Sequence, residues 1–150
     1  MAQTLRFLLA DDDLDDATLF KDVLAEVAPH VEFQHAADGR QALDLLLEND
    51  ALPDLIFLDL NMPRLHGKEV LTMLKANEQL HHIPVIMYTT SSQSRDIEET
   101  MQKGALCFIT KPSQLTELRN ILRSIATNAR HNLQGTLRTL SNSSASFIVC

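Results

Sequence analysis

Short apolar runs alternate along the chain with stretches whose apolar positions recur every three or four residues. The runs occupy residues 5–10, 31–36, 55–60, 83–89 and 107–110 and are rich in Val, Ile, Leu and Phe, the composition of buried strands. Between and after them, helical spacing is kept by Ala17, Phe20, Leu24 and Val27, by Ala42, Leu43, Leu46 and Leu47, and by Val70, Leu71 and Leu74. It continues in Ile97 and Met101 and in Leu115, Leu118, Leu122 and Ile125. Five strands strictly alternating with five helices imply right-handed crossovers and a parallel sheet with helices on both faces. A strand covered on both sides has no polar face, which explains why the first and third runs are apolar almost throughout. The predicted class is α/β, a doubly wound five-stranded parallel sheet. Chain-breaking residues mark the boundaries: Asp38-Gly39 ends the second strand, Pro63 follows the third, Pro84 opens the fourth, Gly104 ends the fourth helix and Pro112 precedes the fifth.

A chain of 150 residues fits one domain with a single sizeable core. The alternation stops after Ala129, so the sequence predicts a domain over residues 1–129 and a tail over residues 130–150. Leu133, Leu137 and Leu140 continue a helical spacing into this tail, which then runs through serine-rich residues 141–146 to Phe147, Ile148, Val149 and Cys150. Fraying is the expectation for it, with a longer helix or a partner contact as the alternative. Cys107 and Cys150 have neither a CxxC nor a Cys/His pattern around them and read as reduced thiols.

Charge narrows the choice of ligand. Residues 1–60 hold 14 acids and 3 bases, and residues 61–150 hold 6 acids and 10 bases, within a net charge of −7. The acidic first half lacks the clustered Lys and Arg that replace phosphate counterions, so no nucleic-acid partner is expected there; a metal ion suits it better. No apolar run approaches the ~18 residues that span a bilayer, and the N-terminus has no signal-like segment. A cytoplasmic chain without a membrane partner is expected.

Open α/β sheets bind their ligands beyond the carboxyl ends of the strands. At those ends stand Asp11-Asp12-Asp13, Asp59-Leu60-Asn61, Thr89-Thr90-Ser91 and Thr110-Lys111-Pro112. Carboxylates converging from the first and third runs repel one another unless a cation neutralises them. A hard divalent ion such as Mg2+, which takes a few carboxylate and carbonyl oxygens and keeps several waters, fits that need. Asp13, Asp15 and Asp16 have a simpler explanation as acids at the positive N-terminus of the first helix. Asp59, which closes an apolar run, has no such explanation. Lys111 brings a cation to the same mouth and Thr89 a hydroxyl donor. Without a general base or a Cys/His/Ser triad, a carboxylate nucleophile with charge stabilisation around it suits phosphoryl transfer.

These residues, in this order, closely resemble the receiver domains of two-component response regulators. The resemblance is carried by Leu8-Leu9-Ala10-Asp11-Asp12-Asp13, Ala37-Asp38-Gly39, Leu58-Asp59-Leu60-Asn61-Met62-Pro63, Gly67, Thr89 and Lys111-Pro112. It implies a flavodoxin-like strand order of 2-1-3-4-5, with Asp59 as phosphoacceptor. It also implies that Asp12, Asp59 and the Asn61 main-chain carbonyl bind Mg2+, that Asp11 helps through a water, and that Lys111 and Thr89 hold the phosphoryl group. Thr89 and Phe108 would form the switch, Lys111-Pro112 would be a cis peptide, and output would leave through the fourth helix, fifth strand and fifth helix. His66 stands where an acidic residue is common before Gly67, and Phe108 where tyrosine is frequent. Asn61 and Ser91 occupy positions that tune phosphate loss in the family.

The implied partners are a sensor histidine kinase or histidine phosphotransfer protein and a downstream protein target. Residues 60–64, 89–91 and 108–111 are similar to single-domain receivers that serve phytochrome-type kinases, which suggests such a kinase and a receiver homodimer. Two other chemistries on related sheets fit less well. A haloacid-dehalogenase-like phosphatase needs an Asp-x-Asp nucleophile on its first strand and a cap domain. A flavodoxin needs a Ser/Thr/Gly-rich phosphate loop where this chain has Asp11, Asp12 and Asp13. Only about 20 residues follow the fifth helix, too few for a helix-turn-helix, so output is expected through another protein. The predicted function is a phosphorylated signalling switch, with no metabolic enzyme activity beyond its own phosphotransfer and autodephosphorylation.

Overall fold

The computed structural model describes residues 4–48, 50–144 and 148–150. Its elements in chain order are β1 (Arg6–Ala10), α1 (Leu14–Val27), β2 (Glu32–Ala36), α2 (Gly39–Glu48), β3 (Leu55–Leu58) and α3 (Gly67–Ala76). They continue with β4 (Val85–Thr89), α4 (Ser94–Gln102), β5 (Cys107–Thr110), α5 (Leu115–Asn128), α6 (Leu133–Ser144) and β6 (Ile148–Val149). The sheet order is β2-β1-β3-β4-β5-β6, parallel except for β6, which lies antiparallel on β5. The expected 2-1-3-4-5 sheet is present and carries one additional edge strand.

Successive side chains of a strand point to opposite faces, and this period sorts the core into two layers. Phe7, Leu9, Phe57, Tyr88 and Ile109 join Phe20 and Leu24 of α1 and Leu118, Leu122 and Ile125 of α5. Leu8, Ala10, Ile56, Leu58, Met87 and Phe108 join Leu43 and Leu46 of α2 and Val70, Leu71 and Leu74 of α3, with Ile97 and Met101 of α4 half-buried against them. The strands β3 and β4 are buried throughout, as their unbroken apolar runs require. The third run ends earlier than its apolar stretch: Asp59 lies past β3, although its N–H still donates to the Ala10 carbonyl at 3.0 Å. That last bond holds the Asp59 main chain at the carboxyl edge of the sheet. No helix among the described residues is long and apolar enough to cross a membrane.

The tail differs from the expectation of fraying. Asn132, at φ 91°, turns the chain after α5, and α6 returns along it. Its Leu137 and Leu140 are buried in the layer that holds α1 and α5, with Leu133 packed against it. The helical spacing seen in the sequence is therefore a core-facing stripe. Residues 145–147, including Phe147, lie outside the described residues. Beyond them, β6 pairs Ile148 with Ile109 and Val149 with Phe108, and Ser141 Oγ donates to the Ile148 carbonyl at 2.9 Å.

This return brings Cys150 onto Cys107 of β5, and the two form a disulfide across a sequence separation of 43. The reduced-thiol expectation is corrected here, because the pairing depends on a distant strand and no local spacing encodes it. Closing a loop of this length removes denatured-state entropy, so Cys150→Ser is expected to cost about 2–4 kcal/mol. The check is the urea midpoint under non-reducing conditions. A midpoint equal to that of the oxidised wild type would show that the link contributes nothing.

Candidate functional site

Four strand ends converge at one mouth of the sheet. Asp11 follows β1 and is fully buried, its main-chain N–H donating to the Ala36 carbonyl and its Oδ1 accepting from Asp13 N at 2.9 Å. His35 Nε2 donates to the Asp11 carbonyl at 2.8 Å. Asp12 is exposed, and Asp59 is only 6% exposed, with Oδ1 accepting from Leu60 N at 2.8 Å. One carboxylate oxygen from each of Asp11, Asp12 and Asp59 lies within 4.8 Å of the other two. The adjoining cleft, of about 480 Å³, is lined by Asp12, Asp16, Asp59, Asn61, Thr90 and Lys111 among others.

Lys111 enters from the end of β5, where its N–H donates to the Thr89 carbonyl at 2.7 Å. Its ammonium lies 2.8 Å from Asp11 Oδ2, 2.7 Å from Asp16 Oδ2 and 3.6 Å from Asp59 Oδ2. Burial pushes the Asp11 carboxyl up to about 6; hydrogen bonds from Lys111 and Asp13 pull it down, and the charge of Asp59 adds to the rise. Burial also works against the Lys111 ammonium, but the hydrogen bonds it donates to Asp11 and Asp16 and the charge of Asp59 more than offset it, so its pKa is raised. The ammonium thus stays charged while the carboxylates around it outnumber it.

The donor set fits a hard divalent cation. Three carboxylates, Asp11, Asp12 and Asp59, share this mouth with the single ammonium of Lys111, which Asp16 also engages, so negative charge there is left unbalanced. Like charges held this close need a further cation beside them. Carboxylates offer oxygen ligands only, which favours a hard divalent ion over softer ones.

Gly67 opens α3 directly beneath this site. A Cβ there would overlap the Asp59 carbonyl and the Leu60 Cα, so only glycine lets α3 approach, and its N–H donates to the Leu60 carbonyl at 2.8 Å. His66, the departure from the usual acidic residue, caps α3: its Nδ1 accepts from Lys68 N at 3.2 Å and its N–H donates to Glu69 Oε1 at 3.3 Å.

Thr89 is fully buried at the end of β4, and its Oγ1 accepts from Ser91 N at 3.4 Å. Phe108 is fully buried in the α2–α3–α4 layer. Ser91 ties this region to α4: its Oγ donates to Asp96 Oδ2 at 2.5 Å, and Asp96 Oδ1 meets Lys68 Nζ of α3 at 2.8 Å. Hydrogen bonds from Lys68 and then Ser91 hold the Asp96 carboxyl below its ordinary range.

Two sequence expectations change. No cis peptide occurs among the described residues, so Lys111-Pro112 is trans, the lower-energy isomer of an X–Pro bond by about 0.5–1 kcal/mol. Asp13 does cap α1, accepting from Asp16 N at 3.0 Å, but Asp16 does more than favour the helix terminus, because it reaches Lys111. A partner 95 residues away leaves no local trace; the one sequence signal was an acid one helical turn past Asp12 and Asp13.

A doubly wound sheet whose carboxyl edge gathers three carboxylates and a lysine defines a flavodoxin-like receiver fold. The chain belongs to the response regulator receiver domain family, whose model matches residues 7–123. Among relatives, it is 34% identical over 123 residues to the response regulator Rcp1 of Synechocystis sp. (strain ATCC 27184 / PCC 6803 / Kazusa), covering 79% of this chain and 84% of that protein. It is 33% identical over 121 residues to the polar-differentiation response regulator DivK of Brucella ovis, covering 81% and 95%. Among solved structures, the Mn2+-bound form of Rcp1 aligns with a TM-score of 0.74 at 33% identity, covering 82% of this chain and 92% of that one. The phosphorylated cyanobacterial phytochrome response regulator RcpA aligns with a TM-score of 0.76 at 29% identity, covering 97% and 99%.

Proposed function

We propose that this chain is a stand-alone response regulator that accepts a phosphoryl group from a histidine kinase, or from a histidine phosphotransfer protein, on Asp59. The observation that carries the proposal is the Asp59 carboxylate itself. It is nearly buried, shares an oxygen cluster with Asp11 and Asp12, and stands 3.6 Å from an ammonium. In the transfer, the phosphorus–nitrogen bond of the donor phosphohistidine breaks and a phosphorus–oxygen bond forms to a carboxylate oxygen of Asp59. The electron pair returns to the imidazole, which takes up one proton.

Asp12, Asp59 and the Asn61 carbonyl would hold Mg2+ directly and Asp11 would do so through a water; the ion supplies charge neutralisation on the phosphoryl oxygens. Lys111 pairs with one of those oxygens, and Thr89 donates its hydroxyl to another. Leaving the Ser91 N–H for the phosphoryl group shifts Thr89, and Phe108 repacks beside it. The α4–β5–α5 face then carries the signal, with β6 lying along the free edge of β5 as part of that surface. Residues 1–129 form the receiver unit and residues 130–150 an appendage to it. Similarity to the phytochrome response regulator RcpA supports a phytochrome-type kinase as donor. A receiver homodimer, a cytoplasmic setting and a second protein that receives the output complete the reading.

Acetyl phosphate with Mg2+ is expected to label the purified protein, and chelation by EDTA to abolish the label. Undiminished labelling in EDTA, or no labelling at all, would overturn the proposal. Lys111→Ala is expected to keep detectable labelling while the amide resonances of α4 and β5 stop shifting on phosphorylation. Shifts equal to those of the wild type would remove Lys111 from the switch.

A further inference from the structure

The Lys111 ammonium has a partner that the proposed phosphotransfer does not use. Asp16 Oδ2 lies 2.7 Å from Nζ, closer than Asp59 Oδ2 at 3.6 Å. Asp16 is fixed in place: its N–H is bound to the Asp13 side chain at 3.0 Å, and the helix carrying it is anchored by buried Ala17 and Phe20. The Lys111 side chain is 9% exposed, so its ammonium has few alternatives to the three carboxylates around it. With Asp11 and Asp16 as its nearest partners, the ammonium remains outside hydrogen-bond distance of the acceptor. An acid that served only the N-terminus of α1 would need no such partner.

We infer that Asp16 is a positioning residue that draws Lys111 toward the mouth of the cleft and away from Asp59. The inference rests on Asp59 as acceptor and deepens that function. An ammonium settled on Asp59 would cover the oxygen that must attack phosphorus and would compete with a divalent cation for the same carboxylate. Held by Asp16, it leaves that oxygen open. Once phosphoryl oxygens arrive, they compete with Asp16 for the same ammonium, so Asp16 sets how readily Lys111 changes partners.

Tyr88 provides a readout independent of phosphotransfer. It is the single tyrosine of a chain without tryptophan, and Lys111 Nζ lies 5.7 Å from its ring centroid. In metal-free protein, Asp16→Ala is expected to shift the Tyr88 ring resonances as the ammonium moves to Asp59, and Asp16→Glu to return them toward the wild type. Titration with Mg2+, followed on the same ring, is expected to show affinity weakened about threefold to tenfold by Asp16→Ala, a coupling of ordinary size between contacting residues. In a Lys111→Ala background the same substitution is expected to have a clearly smaller effect. Should Asp16→Ala fail to fold, Asp16→Asn replaces it.

Unchanged Tyr88 resonances, or a metal effect of equal size with and without Lys111, would overturn the inference, the second by making Asp16 a bare charge. Acetyl phosphate labelling of the wild type separates the two levels. A wild type that never labels removes the proposed function, whereas a labelled wild type with an unshifted Asp16→Ala removes only the role of Asp16.

Discussion

Phe57→Ala is expected to lower the stability of the protein by about 3–5 kcal/mol, a large share of the roughly 5–15 kcal/mol that holds a domain of this kind together. Phe57 is fully buried on β3, with its ring centroid 4.9 Å from Phe20, 5.6 Å from Phe7 and 6.3 Å from Tyr88. The contacts to Phe20 and Tyr88 are edge-on, a favoured arrangement for aromatic rings. Truncation removes the shared member of this cluster and leaves a cavity between the sheet and α1 that a rigid strand cannot close. The site lies directly above: Phe57 is two residues before Asp59, and Tyr88 is one residue before Thr89 and beneath the Lys111 ammonium. A fall in the urea midpoint with an unchanged denaturant slope would show the stability loss, and a weakened near-ultraviolet signal from Tyr88 would show loosening under the site. A cost below about 1 kcal/mol would mean that this layer is not closely packed.

Much of the parallel fold was legible because its signals are local. Runs such as residues 55–60 and 83–89 lack a polar face, and in the structure β3 and β4 are buried on both sides. The strand-end residues Asp11, Asp59, Thr89 and Lys111 were legible for a related reason: once the runs are strands, a polar residue at or just past the carboxyl end of each must lie at the sheet's mouth. What escaped depends on separation in sequence. Asp16 looks like any first-turn acid until β5 delivers Lys111 to it.

Leu133, Leu137 and Leu140 show a helical stripe, but their target is a core assembled from α1 and α5. Cys107 and Cys150 meet only because β6 folds back onto β5. A reducing cytoplasm would hold these two as thiols.

Asp59→Asn carries the largest functional effect. Asparagine keeps the shape of the side chain and an oxygen that can accept from Leu60 N, but an amide is not a nucleophile. The substitution also removes one of three crowded carboxylate charges, so the fold should be no less stable, and an unchanged or higher melting temperature separates lost chemistry from unfolding. The decisive measurement is phosphoryl labelling of the wild type and Asp59→Asn with acetyl phosphate and Mg2+, followed by mapping of the labelled residue. The expected result is label on Asp59 in the wild type and only background in the variant; label on a serine or histidine, or an Asp59→Asn variant labelled at the wild-type rate, would contradict it.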